Sequence, residues 1–455
     1  MKKGEIYKGT VEKTVFMDKG IINIDGERVA VKECIEGQEV EFRLKHRRER
    51  ISEGEKIRVA KKSPLETETP ACPHFGECGS CKLQTLPYDT QVDRKAAQIK
   101  GLLDGVVTTP YEWEGVIKSP SAYEYRNNVE FAFGYAQKDG PITLGFHRKN
   151  SFYDIIDTEG CRLVDETVRN VRKCVLELVK EFGYDFYHRN THEGYLRHLL
   201  IRKTYFTDML MVDLVTSSQA PENEKEFLFE LVKRLLALPK APDSILHTVS
   251  DSWADAIVND RTDVLYGEDY IYENLLGLKF RITAFSFFQT NSRGAELLYS
   301  KTREYVGETK DKVIFDLYSG TGTIAQLLAP VAKHVTGVEI VEEAVEAAKY
   351  NAGLNGLENC TFIADDVLKA IDGLSEKPDI IVLDPPREGI NPKALPKILA
   401  FGVEHIVYIS CKATSLARDL EVIQKSGYRL AKAACVDLFP QVGHVEVCCL
   451  LEQQK

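Results

Sequence analysis

Cys411 stands at the junction between an apolar segment and a segment with helical spacing. The residues HIVYIS before it are typical of a buried strand, and those from roughly Thr414 to Lys425 are typical of a helix. A thiol just before a helix is a candidate nucleophile, because the positive end of the helix dipole favours the thiolate. The alternative is a small core residue, the commonest fate of a free cysteine. We assign that fate to Cys435, Cys448 and Cys449, which lie in apolar strand patterns.

A second group of cysteines has the spacing of metal ligands. The segment ACPHFGECGSCK places Cys72, Cys78 and Cys81 within one short stretch. Thiolates this close in sequence are able to converge on one ion or cluster, and Cys161, in a turn-like Glu-Gly-Cys context, is a candidate fourth ligand. Spacing alone does not choose between zinc and iron–sulfur, and unrelated buried thiols are the remaining alternative. No signal-like segment accompanies the 11 cysteines, so we do not expect a disulfide framework.

Strand-like and helical segments alternate regularly from about Thr290 onward. The apolar segments are KVIFDLY, HVTGVEI, CTFIADD, DIIVLDPP and HIVYISC. Near-continuous apolar strands separated by helices predict a parallel sheet with helices on both faces. We therefore expect an α/β fold with a doubly wound, Rossmann-like domain.

Small residues follow the first of these strands, in DLYSGTGTIA (316–325). They let the backbone approach a ligand, and the next helix offers its N-terminus. The pattern Gly320-x-Gly322-x-x-Ala325 also fits a dinucleotide fingerprint, so it does not separate NAD from an adenosyl cofactor. Glu339 ends the second strand, where it would accept hydrogen bonds from ribose hydroxyls or simply be an exposed acid.

Two prolines follow the fourth strand, in LDPPREG (383–389). They stiffen the turn and hold Asp384 at the sheet edge with little freedom. A dehydrogenase has no evident need for such a carboxylate, whereas an enzyme that presents one to a flat base does. Asp366 ends the third strand, and Glu446 lies at the start of the last strand. Because ligands bind beyond the carboxyl ends of such strands, we expect the chemistry there.

The rest of the chain suggests two further domains. Residues 1–62 show short strand-like bursts punctuated by glycines, a pattern typical of a small OB-like β-barrel. Residues 63–285 contain the cysteine segment and then mix strand patterns with amphipathic helices, which predicts a central α+β domain. Residues 286–455 form the Rossmann-like domain in this division.

Charge and hydropathy indicate which classes of partner, nucleic acid or membrane, the chain is suited to bind. The 455-residue chain has a net charge of −10, which argues weakly against bulk binding of nucleic acid. Between Arg43 and Lys62, however, nine Lys and Arg residues stand against three Glu, a local excess of about +6 able to bind phosphates. The alternative is a solvated charged loop. No apolar run of about 18 residues occurs and MKKGEIYKGT lacks a signal-peptide core, so we expect a soluble, cytoplasmic protein with no membrane partner.

Several motifs together resemble one family. DLYSGTG, LDPPREG, YISCKATSLARD and FPQVGHVE occur in the order found in RNA uracil-5-methyltransferases (RumA/TrmA type), and SFFQTN (286–291) matches the segment before the sheet. The resemblance implies S-adenosylmethionine as cofactor, with Cys411 as nucleophile and Glu446 as base. By the same resemblance, the residues on the cofactor side are Gln289, Tyr318, Glu339, Asp366 and Asp384.

The cysteine spacing and the N-terminal barrel resemble the ribosomal-RNA branch of that family. There the barrel is a TRAM domain, and the resemblance implies a [4Fe–4S] cluster on Cys72, Cys78, Cys81 and Cys161. We expect a monomer that methylates a uridine of 23S rRNA. Three alternatives stay open: a tRNA uridine-5-methyltransferase, a non-catalytic RNA-binding module, and an iron–sulfur nicotinamide oxidoreductase.

The chemistry explains why these residue types are needed. Carbon 5 of uracil is a poor nucleophile until a thiolate adds to carbon 6, after which a base must remove the proton from carbon 5. Asp384 would accept a hydrogen bond from the imide N–H of uracil, which cytosine lacks. The target base must also be flipped out, so unpaired RNA is the favoured substrate.

Overall fold

The computed structural model describes residues 1–138, 140–254, 256–374 and 376–454. Contacts divide the chain into two compact units. The first unit comprises Met1–Pro70, Lys82–Pro120 and Glu296–Lys455, and the second comprises Ala71–Cys81 and Ser121–Ala295.

The N-terminal strands of the first unit close into a barrel, in the order β1-β2-β3-β5-β4. Alternate residues point inward, as in β4, where Val40, Phe42 and Leu44 are fully buried. The barrel expected from the glycine-punctuated pattern is therefore present. Its strands are β1 (Ile6–Val15), β2 (Lys19–Ile24), β3 (Glu27–Val31), β4 (Glu39–His46) and β5 (Ser52–Lys61).

The second unit contains a seven-stranded sheet and a separate hairpin. The sheet order is β13-β12-β11-β10-β7-β8-β9, and β14 pairs with β15. Helices α2 and α3 pack on this sheet through Val175 and Leu231, which share a core with Phe131 and Leu199. The strands are β7 (Asn128–Tyr135), β8 (Ile142–His147), β9 (Ile155–Asp157), β10 (Leu196–Lys203), β11 (Leu210–Thr216), β12 (Ser244–Val249), β13 (Arg261–Gly267), β14 (Tyr270–Leu275) and β15 (Leu278–Thr283), with helices α2 (Glu166–Phe182) and α3 (Glu224–Leu236).

An eight-stranded sheet forms the core of the first unit, in the order β18-β17-β16-β19-β20-β22-β21-β6. The chain alternates strand and helix through β20, as the sequence predicts. The strands are β16 (Val313–Leu317), β17 (His334–Glu339), β18 (Cys360–Ala364), β19 (Ile380–Leu383), β20 (His405–Ser410), β21 (Tyr428–Val436) and β22 (Glu446–Gln453). The helices that follow α1 (Tyr88–Asp104), α2 and α3 in the chain are α4 (Ser292–Val306), α5 (Thr323–Leu328), α6 (Glu342–Leu354), α7 (Val367–Gly373), α8 (Ala394–Leu399) and α9 (Ala413–Lys425), with a short 3-10 helix at Ala329–Val331.

This sheet is mixed, which corrects the expectation of an all-parallel sheet. Five strands, β16 to β20, are parallel, but β22 runs antiparallel to both β20 and β21. The edge strand β6 (Glu112–Ile117) pairs with β21, although it falls within the residues 63–285 expected to form the central domain. The reversal of β22 matters because it brings the start of that strand to the carboxyl end of β20.

Within the described residues, no helix has both the length and the apolar character needed to span a membrane.

Candidate active site

Cys411 and Glu446 are brought together by the register of two strands. Ser410, the last residue of β20, pairs with Val447 of β22. One position farther along this antiparallel pair, Cys411 stands opposite Glu446. The Glu446 side chain is 4% exposed, whereas Cys411 is half-buried. The strand ends predicted to carry the nucleophile and the base therefore meet.

Asp384 joins this pair from the neighbouring parallel strand. Leu383 of β19 pairs with Tyr408 of β20, so Asp384 follows directly at the same edge of the sheet. The charges of Asp384 and Arg387 both act on Cys411 and on Glu446. The four side chains therefore lie within electrostatic range of one another at the carboxyl ends of the strands.

Burial raises the pKa values of both carboxyl groups of this site towards neutrality. It raises the pKa of Asp384 to about 7. Burial, reinforced by the Asp384 charge, raises the pKa of Glu446 to about 8, and Arg387 opposes that rise. A carboxyl group with a pKa near neutrality is suited to accept and release a proton at the working pH.

The pKa of the Cys411 thiol is raised as well, although the sequence predicts that the helix after it favours the thiolate. Burial raises its pKa to about 11, with Glu446 and Asp384 adding to the rise and Arg387 opposing it. Helix α9 does begin at Ala413, directly after Cys411. Loss of water is the main cause of the raised pKa, followed by the neighbouring acids.

Asp419, on helix α9, bonds to the loop that follows Asp384 and to strand β20. One carboxylate oxygen of this buried residue accepts hydrogen bonds from the Tyr408 hydroxyl at 2.7 Å and from the Ile390 backbone N–H at 2.9 Å. Gly389 lies so close that a Cβ there would fall 2.7 Å from the same oxygen, and its φ of +80° also favours glycine. No sequence pattern singled out Asp419, because its partners lie on other strands and loops.

The glycine-rich loop after β16 is fixed by two strand-end carboxylates. Asp316 accepts from the Ala325 N–H at 2.9 Å, and Glu339 accepts from the Gly320 N–H at 3.0 Å. Burial, with Asp384 and Glu339 adding, raises the pKa of Asp316 to about 7. Glu339 therefore stands where predicted, at the end of β17, and also organises the loop.

A cavity of about 380 Å³ opens beside this loop. Tyr318, Glu339 and Asp366, three of the predicted cofactor residues, line it. Asp366 also caps α7 by accepting from the Leu368 N–H at 2.8 Å. The Ser319 hydroxyl and one Asp316 oxygen are buried without a hydrogen-bond partner among the described residues. An adenosyl cofactor suits this site, because ribose hydroxyls would meet Glu339 and unmet polar atoms lie close by. The remaining lining residues are Ile340, Val367, Pro386, Glu388, Gly389, Ile390, Asn391, Pro392 and Arg418.

Helix α1 (Tyr88–Asp104) holds the loop that leads into Glu446. Buried Lys95 forms an ion pair with buried Asp437 at 2.7 Å and donates to the Phe439 carbonyl at 3.0 Å. Gln91 and Gln441 exchange two hydrogen bonds, at 2.9 and 3.0 Å. The sequence analysis did not predict these contacts. The only signal was the spacing of four polar residues along α1, namely Gln91, Arg94, Lys95 and Gln98.

The barrel reaches the same loop. Gly443 approaches Asp18, in the turn after β1, so closely that a Cβ at position 443 would lie 2.3 Å from a carboxylate oxygen of Asp18. Asp18 also accepts from the Gln98 side chain of α1 at 3.0 Å. The FPQVGHVE motif is thus packed between α1 and the barrel turn.

The predicted basic stretch of the barrel is partly neutralised. Lys45, Arg47 and Arg48 pair with Glu55, Glu27 and Glu53 at 2.8, 2.9 and 3.0 Å, and Arg58 pairs with Glu41. All four basic side chains are about half-exposed or more. The exposed pairs exchange readily with other anions, because each contributes only about 0–1 kcal/mol.

Gln289 lies in the second unit. Its backbone carbonyl accepts from the Asn127 side chain at 2.9 Å, and its side chain is half-buried.

The four predicted cluster cysteines also lie in the second unit. Burial raises the pKa of Cys161, and the charges of Cys72 and Cys78 add to that rise, so these three thiols lie within electrostatic range. Cys81 packs on the same core as Cys161. Among the residues described, no group of three or more His, Cys, Asp or Glu side chains is arranged to hold a metal ion. Four thiols are suitable ligands for an iron–sulfur cluster. The structure supports such a cluster only through the proximity of these cysteines.

Comparison with protein families and sequences gives consistent matches. The family model described as tRNA (uracil-5-)-methyltransferase matches residues 257–454. A protein of Caldanaerobacter subterraneus subsp. tengcongensis, named an uncharacterized RNA methyltransferase, is 45% identical over 100% of both chains. A Clostridium tetani protein of the same description is 43% identical, covering 98% of this chain and 97% of the other.

A solved structure matches along nearly the whole chain. The crystal structure of Pyrococcus abyssi tRNA (uracil-54, C5)-methyltransferase in complex with S-adenosyl-L-homocysteine superimposes with a TM-score of 0.75 and 27% identity. The match covers 98% of this chain and 100% of that one.

Proposed function

The chain belongs to the RNA uracil-5-methyltransferase family, and from that premise we propose that it methylates carbon 5 of a uridine through a covalent bond between Cys411 and the base. S-adenosylmethionine supplies an electrophilic methyl group. The observation that carries the mechanism is the placement of Cys411 opposite Glu446, with Asp384 on the adjoining strand.

Cys411 acts first. Its sulfur adds to carbon 6 of the uracil and its proton leaves to water, which the half-buried position permits. The electrons of the carbon 5–carbon 6 double bond move onto carbon 5 and the carbonyl oxygen. Carbon 5 would then take the methyl group from bound S-adenosylmethionine, whose sulfur would keep the electron pair of the broken bond.

Glu446 completes the reaction. Its carboxylate removes the remaining proton from carbon 5, the double bond re-forms, and the Cys411 thiolate is expelled. Burial has already raised the pKa of Glu446 to about 8, so the carboxylate is a stronger base than an exposed one. Asp384 accepts from the imide N–H of the ring and selects uracil over cytosine, whose ring nitrogen would leave the buried carboxylate unpaired.

Methyl transfer from labelled S-adenosylmethionine to RNA tests the proposal. The wild-type protein should label RNA containing unpaired uridines, and Cys411→Ala should not. Cys174→Ala, a half-buried cysteine on α2 far along the chain from the site, is the matched control and should retain activity. A Cys411→Ala protein with the wild-type rate would exclude the covalent route.

The substrate we propose is 23S rRNA, on the basis of the cysteine spacing and the N-terminal barrel. The second candidate is tRNA, because the family model and the Pyrococcus abyssi enzyme are both described by tRNA. That enzyme aligns with 98% of this chain, so architecture alone does not separate the two substrates. Label entering 23S rRNA and not tRNA supports the first, and label entering only tRNA assigns the second.

We further propose that Cys72, Cys78, Cys81 and Cys161 hold a [4Fe–4S] cluster. The support is their spacing together with the electrostatic proximity of three of the thiols. Each thiolate of such a cluster binds its own iron, so the sulfurs stand farther apart than around a single ion. The cluster would hold this part of the second unit together, because no step of methyl transfer needs an electron. We expect the enzyme to be a cytoplasmic monomer.

A further inference from the structure

A second cavity, of about 460 Å³, lies wholly within the second unit. It is formed by β7, the loop between β8 and β9, the first residues of β10, and the segment 186–191. Its size suits a small organic ligand such as a nucleotide. The lining residues on which the inference depends are Lys138, Phe152, Tyr153, Phe186, Arg189 and Arg197.

The cavity lies at one end of the seven-stranded sheet, beside the core that α2 and α3 cover. Phe131 of β7 pairs with Leu199 of β10, and both pack in the core beneath α2 and α3. Their neighbours Ala132 and His198 also pair with each other and line the cavity. Phe133 and Arg197, the next residues along these strands, line it as well, so the cavity lies where β7 ends and β10 begins.

Exposed aromatic rings stand at the rim. Phe152 is 81% exposed and Tyr153 is 67% exposed, side by side in the loop after β8. Deeper in, Tyr135 and Phe186 meet edge to face at 4.8 Å. Large exposed rings next to a cavity mark a binding surface, and their flat faces are suited to stack on nucleobases.

The charges of the lining favour an anionic ligand. Of the residues that line it, Lys138, Arg189 and Arg197 are basic and Asp154 is acidic, and Asp185 pairs with the lining residue His188 at 3.2 Å. Arg197 is 5% exposed and is held rigidly, because its guanidinium donates to the Ser250 carbonyl at 3.0 Å. Cationic walls with aromatic faces are the combination that binds single-stranded nucleic acid.

A series of side-chain contacts runs from the cavity to the surface. The Arg197 guanidinium lies 4.4 Å from the centre of the Tyr187 ring, and the Tyr187 hydroxyl contacts His192 at 3.1 Å. His192 in turn stacks on Trp253 at 4.9 Å, and Trp253 is 78% exposed. The outer face of this indole is open to a further flat ring.

The cysteine segment supports the loop that carries Phe152 and Tyr153. The backbone N–H of Lys149 donates to the Glu77 carbonyl at 2.7 Å, and that of Gly79 donates to the His147 carbonyl at 3.2 Å. The loop is thus fixed at its base, and its two aromatic rings are presented from a rigid support.

We propose that this cavity is a second RNA-binding site, which takes an unpaired nucleotide of the substrate other than the methylated uridine. The base stacks on Phe152 and Tyr153, the phosphates meet Lys138 and Arg189, and a flanking base stacks on Trp253. The inference rests on the proposed function in taking RNA as the ligand. It assigns part of the affinity for RNA to the second unit.

Fluorescence anisotropy of the full-length protein with a labelled oligouridylate of about 12 nucleotides tests the site. The double variant F152A/Y153A should raise the Kd at least about fivefold, and Trp253→Ala should also weaken binding. The matched control is Phe229→Ala, because Phe229 is 72% exposed and lies on α3, outside the cavity lining. Phe229→Ala should bind as the wild type does.

A photo-crosslink gives an independent readout. An oligouridylate carrying 4-thiouridine should crosslink to the peptide that contains Phe152 and Tyr153 in the wild-type protein, and the double variant should lose that product. Unchanged Kd and an unchanged crosslink pattern in F152A/Y153A would overturn the proposal. So would a loss of affinity of equal size in Phe229→Ala.

The failure of this inference is distinguishable from failure of the proposed function. If the wild-type protein transfers methyl groups to RNA but F152A/Y153A binds the oligouridylate normally, the second site is wrong and the function stands. If no RNA is methylated while the double variant still loses affinity for the oligouridylate, the site stands and the function is wrong.

Discussion

Cys411 and Glu446 stand opposite each other across the antiparallel strands β20 and β22, one position beyond the pair Ser410 and Val447. A nucleophile that adds to carbon 6 of a pyrimidine and a base that acts on carbon 5 must approach adjacent ring atoms. Residues on neighbouring strands provide that spacing without a flexible loop between them. The reversal of β22 against an otherwise parallel set is what creates this arrangement.

The pH dependence of methyl transfer should report the buried carboxyl groups. Burial raises the pKa of Glu446 to about 8 and that of Asp384 to about 7, and both must be ionised to act. The rate should therefore rise from about pH 6 to about pH 9 as these carboxyl groups ionise, and it should keep rising above that range as the Cys411 thiol, whose pKa is about 11, loses its proton. A profile of kcat against pH that is flat over this interval would contradict the assignment.

Asp384→Asn should weaken the choice between uracil and cytosine. The amide donates as well as accepts, so it no longer requires the imide N–H. We expect lower activity on uridine and a discrimination against cytidine reduced by at least about tenfold. The discrimination is measured by comparing methylation of two RNAs that differ only in having uridine or cytidine at the target position. Asp372→Asn, which changes an exposed carboxylate that pairs with Lys397, should leave both activity and discrimination intact.

Lys95→Met should destabilise the protein by about 3–5 kcal/mol, because it leaves the Asp437 carboxylate buried without its counter-ion. Chemical denaturation measures the change. Lys100→Ala is the control on the same helix, since its pair with Asp104 is about half-exposed and should contribute less than about 1 kcal/mol. The double variant Lys95→Met/Asp437→Leu should recover most of the loss. If Lys95→Met lowers the free energy of unfolding no more than Lys100→Ala does, the Lys95–Asp437 pair does not hold the loop before Glu446.

Protein purified without oxygen should be brown and contain iron. Cys161→Ala should lose the iron and the colour, while Cys174→Ala keeps both. Colourless protein that carries one zinc ion would exclude the cluster. Methyl transfer by that protein would show that the reaction proceeds without an iron–sulfur cluster.

The sequence predicted the strand ends of the site because each lies in a local pattern. Asp384 follows an apolar strand and precedes two prolines, and Cys411 follows a strand and precedes a helix, so both signals are contained within about ten residues. The cofactor cavity was found in the same way through Glu339 and Asp366. The family resemblance added Glu446, whose position local reasoning alone would not have singled out.

What could not be predicted depends on partners far away in the chain. Glu112–Ile117 has an ordinary strand pattern, and nothing in it reveals that it pairs with β21 more than 300 residues later. The Lys95–Asp437 pair, 342 residues apart, is invisible for the same reason. The raised pKa of Cys411 was also missed, because it comes from burial, with carboxyl groups after β19 and at the start of β22 adding to it.

The covalent intermediate gives the most direct test of the central claim. Glu446→Gln leaves the nucleophile in place but removes the base that releases it. Incubated with S-adenosylmethionine and substrate RNA, this variant should accumulate a denaturation-resistant protein–RNA species, and mass spectrometry should place methylated uracil on the peptide containing Cys411. The double variant Cys411→Ala/Glu446→Gln should give none. Absence of any adduct from Glu446→Gln while it still binds RNA and cofactor, or an adduct on another residue, would contradict the proposed roles of Cys411 and Glu446.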